Sequence, residues 1–567
     1  MSIPGTEDRS RFRRLLERWD RTPRQGLPQT QSGRAAYTWR GPGEEFPSVY
    51  MSSEAALRAA WHPGNDQSPV GAAVPVPAGS VVRGFTLSPD GRRIAALLST
   101  PHTELADLWI LAEDTAPIRV PGTRAWYAAP AWHPSGQKLW LLAAKPPEQR
   151  LVEVNLNSLD STGLSFPPAL SKYSGARLSL SAGLSAGGGF LGLAARTPGG
   201  EIAAWRRVDS AWHPAEPAAS SRLTMAGSDD GTHLLLDGFL VHTLSPAEHV
   251  TAFSLQERHE RDVLWIQSAS PDRPSQVFCL DVPPVGPLPH GVPAASTSPF
   301  VHLRFTAQAS DGVEIPLTVS VRKRDLDPSG RPLRPMPLIL TCYGGFGVKH
   351  RTEAEPSVPA WLEAGGVFVA AHLRGGGELG KDWHEAGRGS RKIRTILDLI
   401  DVAEFLSSTG WTSRLQTVAF GASHGGLVAT AAALLSPQTF AGVVAVAPLL
   451  DAADLGRHGL GTQWLHEFGA DGETTAHERK AISPLHLQRT LHSAAAIPPM
   501  LCCILGRDER VDNTAAVEFT QGLLSRGGRS WLLSEDNGGH GQRSSGDVHE
   551  LSAAVLAFAA TVATVDT

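Results

Sequence analysis

Apolar positions follow two rhythms along this chain, and the change falls near residue 300. Before it, short β-type runs alternate with polar turn clusters, and segments with a helical period are scarce. The segments RGFTLSPDGRRIAALLS, PAWHPSGQKLWLLAA, RLSLSAGLSAGGGFLGLAA and RLTMAGSDDGTHLLLDG each read as a strand, a polar turn with glycine, and a second strand. Aligned on Gly91, Gly136, Gly188 and Gly231, they recur at intervals of 45, 52 and 43 residues. Weaker copies at 33–39 and 262–266 bring the count to six. A strand–turn–strand period in the forties predicts the blades of a β-propeller. An array of open β-sandwiches is the alternative, but repeats this regular favour radial stacking.

Beyond residue 300 the pattern becomes α/β. Apolar runs at 338–342, 366–373, 418–420, 443–446, 500–505 and 530–534 predict buried strands, with helical stretches such as 396–407 and 514–524 between them. Strands alternating with helices imply a doubly wound, mostly parallel sheet covered on both faces. Residues 11–20 carry helical periodicity ahead of the propeller and are expected to fold back onto this later domain. The apolar run 551–565 is too short and too alanine-rich to span a bilayer comfortably, and reads as a closing helix on the sheet. Three regions follow: an N-terminal segment over 1–30, a propeller over 31–300 and an α/β domain over 301–567.

Candidate chemistry concentrates at 416–430, QTVAFGASHGGLVAT, which gives a short apolar strand, a sharp turn and the start of a small-residue helix. Ser423 stands at the turn within Gly421-Ala422-Ser423-His424-Gly425-Gly426, the G-x-S-x-G pattern of a nucleophile elbow. Glycines flank such a turn because it is strained and another backbone crosses it closely. The helix that follows aims its N-terminus at any developing anion. A glycine-rich connection with a chance serine would look the same, so the partners decide.

A serine nucleophile needs a base, and the base needs a carboxylate to orient it. With this elbow the chain order is Ser, Asp or Glu, then His. Asp508 falls just past the strand 500–505, where side chains of a parallel sheet reach the site. Downstream of it the chain has two histidines, His540 and His549. His549 leads into the C-terminal helix and is expected on its surface, whereas His540 lies in the loop Gly538-Gly539-His540-Gly541. Asp512 and Asp536 remain rival carboxylates.

Composition narrows the classes. Lys plus Arg number 51 against 56 Asp plus Glu, a mildly acidic balance that suggests neither nucleic acid nor an anionic membrane as partner. The four cysteines, Cys279, Cys342, Cys502 and Cys503, lack metal-ligand spacing and read as buried thiols of a reducing compartment. The charged start MSIPGTEDRSRFRRLLERWD has no apolar core and does not read as a secretory signal. Gly375-Gly376-Gly377-Glu378-Leu379-Gly380 fits G-x-G-x-x-G, with Asp398 and Asp401 some way downstream, but its strand does not open a βαβ domain. No cofactor and no metal are therefore expected.

The motifs together resemble the prolyl oligopeptidase family of serine peptidases. The resemblance rests on Tyr343-Gly344-Gly345-Phe346, Arg374-Gly375-Gly376-Gly377-Glu378, Trp383-His384, the run from Gly421 to Gly426, Asp508 with Arg510-Val511, and Gly539-His540-Gly541, in the family's order. It is strong over 305–567 and a matter of pattern in the propeller half. It implies an α/β-hydrolase domain with a seven-bladed propeller, one blade more than the repeats counted. It also implies that Ser423 attacks the carbonyl, His540 shuttles the proton and Asp508 holds the tautomer. The oxyanion would be bound by the backbone N–H of His424, a position that is usually asparagine, and by the Tyr343 hydroxyl. Trp464 would stack on a substrate proline, with Phe346, Leu449, Phe468 and Val511 as the remaining wall and Arg510 on the peptide carbonyl upstream. The lesser alternative for Trp464 is a core tryptophan, and for Arg510 an ion pair with Asp508 or Glu509, which does not exclude the substrate role.

The expected protein is thus a cytoplasmic serine endopeptidase cutting short, proline-containing peptides after proline, with entry restricted by the propeller. Other acyl-transfer specificities remain open, namely acylaminoacyl peptidase, peptide macrocyclase or dedicated maturation protease. The reading from another class is a catalytically idle propeller scaffold that binds peptides. The oligomeric state is not legible.

Overall fold

The computed structural model describes residues 3–61, 68–126, 128–144, 148–173, 176–185, 188–197, 201–208, 210–215, 223–228, 231–236, 239–244, 248–256, 262–282, 298–350, 355–469, 476–541 and 543–563. The chain divides into two units. One comprises Met1–Trp19, Thr197–Glu201 and Ser298–Thr567; the other comprises Asp20–Arg196 and Ile202–Thr297. Strand pairing draws 24–31 into the second unit, because Arg24–Gln25 and Gln29–Gln31 both pair with Arg34–Arg40.

The second unit is all antiparallel β. Among the described residues its strands fall into six groups, over 24–73, 81–125, 131–164, 177–215, 223–244 and 249–282. The second and third groups are joined into one sheet by the single pair Ala143↔Ala125. Six groups match the six repeats rather than the seven blades of the resemblance. The turns lock neighbouring groups together: the Trp132 indole donates to the Thr86 carbonyl at 3.0 Å, and Arg93 donates to the Gly136 carbonyl at 2.6 Å. The two weakest repeats meet each other. Tyr37 and Trp61 of the first group pack with Trp265 of the last, and the Gln25 side chain accepts the Val277 N–H at 2.8 Å. First against last is what closes a propeller.

The first unit centres on one eight-stranded sheet. Its strands are β1 (Phe300–Gln308), β2 (Glu314–Arg322), β3 (Leu338–Cys342), β4 (Val367–Ala371), β5 (Thr417–Ala422), β6 (Gly442–Val446), β7 (Met500–Leu505) and β8 (Ser530–Glu535). The order across the sheet is 1-2-4-3-5-6-7-8, antiparallel as far as β4 and parallel thereafter. The helices needed below are α1 (Arg9–Trp19), α2 (Ser357–Ala364), α3 (Lys381–Glu385), α4 (Lys392–Ser408), α5 (His424–Leu435), α6 (Leu465–Phe468), α7 (Asn513–Leu524) and α8 (Ser545–Val562).

Period-two alternation splits each strand between two cores. Leu338, Leu340, Cys342, Ala419, Val443 and Cys502 join one cluster with residues of α4, α5 and α7. Ile339, Val418, Val444 and Cys503 join the other with residues of α1, α2 and α8. The adjacent thiols of Cys502 and Cys503 therefore enter opposite faces, and all four cysteines are free and buried. Phe12 and Leu16 of α1 lie in the same cluster as α8. Among the described residues, no helix is long and apolar enough to cross a membrane.

Candidate active site

Because β3 and β5 to β8 run parallel, everything that follows these strands emerges at one edge of the sheet, the edge where open α/β sheets bind ligands. Ser423 follows β5 and is forced into φ 54° and ψ −118°. That conformation costs a side-chain-bearing residue about 1–3 kcal/mol. The surroundings hold it there. The Ser423 N–H donates to the Val446 carbonyl at 2.8 Å, and the Ser423 carbonyl accepts the Leu449 N–H at 3.1 Å. Only glycine fits beside it: a Cβ on Gly421 would stand 2.0 Å from the Gly425 carbonyl oxygen, and one on Gly425 would stand 2.4 Å from that of Cys342. The next residue, His424, opens α5, so its N–H belongs to the turn that has no intrahelical acceptor.

Asp508 follows β7 and His540 follows β8. The Asp508 Oδ2 lies 2.7 Å from His540 Nδ1, and its Oδ1 accepts the N–H groups of Arg510 at 2.8 Å and Val511 at 3.0 Å. Burial alone would raise this carboxyl; the His540 contact and the two backbone donors outweigh it and hold it below the usual carboxylate range. An ionised Asp508 makes Nδ1 the protonated ring nitrogen, which leaves Nε2 with its lone pair for use as a base. The rival carboxylates are engaged elsewhere. Asp512 caps α7 through the Thr514 N–H at 3.0 Å and takes Arg457 at 2.6 Å, while Asp536 accepts the Ser534 hydroxyl. His549 does lie on α8, but it is buried and not on the surface as expected.

Tyr343 follows β3. Burial, then the negative charge of Glu467, push its hydroxyl up to about 12, with Arg510 opposing. A phenol so shifted stays protonated and serves as a hydrogen-bond donor. His424 is buried and its imidazole is pushed down to about 3, first by desolvation and then by Lys392. It is neutral at any working pH. Its Nε2 lies 3.3 Å from the Gly344 carbonyl, so that nitrogen carries the proton. If Tyr343 stabilises an oxyanion, Tyr343→Phe will lower kcat about 10²–10³-fold with little change in KM. Steady-state kinetics on one peptide decide this, and an effect confined to KM would move Tyr343 into substrate binding.

The predicted pocket residues come together around Phe346, itself held at φ 57°. Its ring meets those of Trp464 and Phe468 at 6.3 Å and that of His424 at 5.5 Å, all edge to face. Phe468 and Leu449 are buried in the core that Phe346 and Trp464 line. Trp464 is only half-buried, unlike a core tryptophan such as Trp361. Arg510 and Val511 enter through the Asp508 turn. His424 was anticipated only for its backbone, yet its ring forms part of this aromatic cluster.

A profile of the prolyl oligopeptidase family matches residues 354–565. Over those residues the chain is similar to the prolyl oligopeptidase family. Prolyl endopeptidase from Elizabethkingia meningoseptica is 29% identical over 257 residues, 44% of this chain and 35% of that protein. Dipeptidyl aminopeptidase BI from Pseudoxanthomonas mexicana is 32% identical over 161 residues, 28% of this chain and 22% of that protein. These alignments span about a third or less of the relatives' own length. Prolyl oligopeptidase B from Galerina marginata, solved with a 35mer hydrolysis and macrocyclization substrate, superposes with a TM-score of 0.76 at 15% identity. That superposition covers 98% of this chain and 91% of that one, so the likeness in fold, α/β-hydrolase with β-propeller, runs through both units.

Two charged constellations in the first unit go beyond what the sequence indicated. Arg374 bonds both Asp398 and Asp311, and Asp398 is wholly buried. Asp398, the acid a dinucleotide site would need, is thus taken by the arginine beside the triglycine. A Cβ on Gly377 would lie 2.1 Å from the Gly347 carbonyl oxygen, so the triglycine is where the loop after β3 packs. The second is Lys392, Glu467 and His384, discussed below. His384 falls inside a motif quoted above, whereas Glu467 and Lys392 carry no motif signal there.

Proposed function

We propose that this protein is a serine peptidase that cleaves short peptides after proline through an acyl-enzyme. The observation that carries the reading is the Asp508–His540 bond of 2.7 Å, on the same sheet edge as the strained Ser423. It presets the base that an elbow serine requires. Ser423 Oγ attacks the scissile carbonyl carbon while His540 Nε2 takes its proton. The oxyanion draws on the His424 N–H and the Tyr343 hydroxyl. As the tetrahedral species collapses, His540 returns the proton to the departing amine. Water then attacks the Ser423 ester by the same route, with the acid released as the new carboxylate. Restriction to short peptides by the propeller belongs to the same proposal.

Proline specificity rests on the aromatic cluster. A rigid ring loses little entropy on binding, and aromatic contacts contribute about 0.5–1.5 kcal/mol beyond area burial. Labelling by a fluorophosphonate probe, lost in Ser423→Ala, tests for an activated serine and separates a peptidase from an idle scaffold. The specificity test compares kcat/KM for matched peptides with proline or alanine before the cut. Trp464→Ala will weaken the proline peptide selectively, whereas Arg510→Ala will penalise both alike, a lost charged hydrogen bond being worth about 1.5–3 kcal/mol. Equal wild-type rates on the two peptides would remove the post-proline assignment and leave the hydrolase standing.

A further inference from the structure

Three ionisable side chains are buried beneath the site with no role in the mechanism above. Lys392 and Glu467 are both fully buried and paired, and Glu467 Oε2 takes His384 Nε2 at 2.7 Å. A buried ion pair is a poor way to gain stability, because desolvating two charges offsets most of their attraction. A different use is indicated by what else Lys392 touches. Its Nζ stands 3.5 Å from the Gly344 carbonyl oxygen and 5.9 Å from the centre of the Phe468 ring. The same carbonyl receives His424 Nε2 at 3.3 Å. Gly344 follows Tyr343 in the chain, Phe468 follows Glu467, and His424 follows Ser423. One ammonium group at the start of α4 therefore bears on the loop after β3, on α6 and, through the shared carbonyl, on the elbow.

Further along, the loop is anchored by the Gly347 N–H on the Gly375 carbonyl at 3.1 Å and the Val348 N–H on the Gly345 carbonyl at 3.0 Å, while the Gly344 carbonyl itself is met by Lys392 and His424. Gly344 takes φ 61°, and Gly345 packs directly against the His424 ring, where a Cβ would lie 2.3 Å from Cδ2. Two consecutive glycines place few intrinsic limits on the peptide between Tyr343 and Phe346, so its orientation depends on the groups that hold its carbonyl. A lysine is suited to holding it. A buried carbonyl needs a donor, and an ammonium has three N–H bonds to divide between Glu467 and the carbonyl.

We propose that Lys392 is a positioning residue: with Glu467 it fixes the Gly344 carbonyl and thereby aims the Tyr343 hydroxyl at the developing oxyanion. This rests on the peptidase reading. Misplacing a reacting group by about 1 Å costs about 10²-fold, and Lys392→Met is expected to lower kcat on a proline peptide by that factor with little change in KM. The single variant leaves Glu467 without its cation and will lose thermal stability. Lys392→Met/Glu467→Gln removes both charges and will recover the thermal midpoint without recovering kcat. Because Lys392 acts through Tyr343, the two losses will not multiply, and Tyr343→Phe/Lys392→Met will turn over no more slowly than Tyr343→Phe alone. Wild-type kcat in the folded, charge-neutral double variant overturns the proposal, as do multiplicative losses with Tyr343→Phe. A wild-type protein that fails to label with a fluorophosphonate sinks the peptidase reading and this inference with it. A labelled, active wild type with unaltered variants sinks the inference alone.

Discussion

Ser423→Ala should lower kcat about 10⁶-fold and leave the thermal midpoint where it is. The two halves of that result have different origins. Turnover disappears because the attacking oxygen is gone. Folding survives because alanine keeps the Cβ, so the left-handed backbone at φ 54° is no more strained than before. The clamps from Val446 and Leu449 are backbone bonds and remain. Retention of more than about a hundredth of wild-type kcat, against a normal loss near 10⁶, would show that another group attacks. The assay needs protein freed of wild-type traces, for which loss of fluorophosphonate labelling is the control.

His540→Ala should be nearly as severe, again on the order of 10⁶ in kcat, since a nucleophile and its base act as one unit. The matched comparison is His549→Ala. Both histidines lie downstream of Asp508, but only His540 bonds it. His549 is buried on α8, so its replacement removes packing and will lower the thermal midpoint while kcat holds. Inactivation by the His549 change with little effect of the His540 change would reverse the assignment.

The architecture was legible because both halves announce their period. Repeat spacing in the forties and alternating strand–helix segments are set by backbone geometry, which side-chain detail hardly perturbs. Ser423, Asp508 and His540 were legible for a related reason: each follows an apolar strand, and strand ends are where a parallel sheet presents chemistry. What failed to show in the sequence depends on which way a helix faces. His549 was expected on the surface of the C-terminal helix because it leads into that helix, yet it is buried there. Lys392 sits among basic residues and reads as solvated, and only the folded chain brings Glu467, 75 positions later, against it. For His424 the sequence favours a backbone role over one for its imidazole, and gives no sign that the ring joins the aromatic cluster. Strand pairing also reached further toward the N-terminus than the repeats suggested, since Arg24–Gln25 is too short to carry a periodic signal.

The packing of α1 has a consequence for how the protein is made. Phe12 and Leu16 are buried in the layer that α8 completes, and Arg9 and Arg13 both pair with Glu550. A ribosome working at about 5–20 residues per second releases α1 roughly half a minute to two minutes before its partner. Through that interval an amphipathic helix has nothing to lie against, while the strands from 24 to 282 have all their own partners at hand. The entropy of closing so long a loop grows only with the logarithm of its length, so the delay is a matter of time rather than stability. Synthesis therefore allows the propeller to form on the ribosome and defers the completed Ser423-bearing sheet until β8 and α8 have been made.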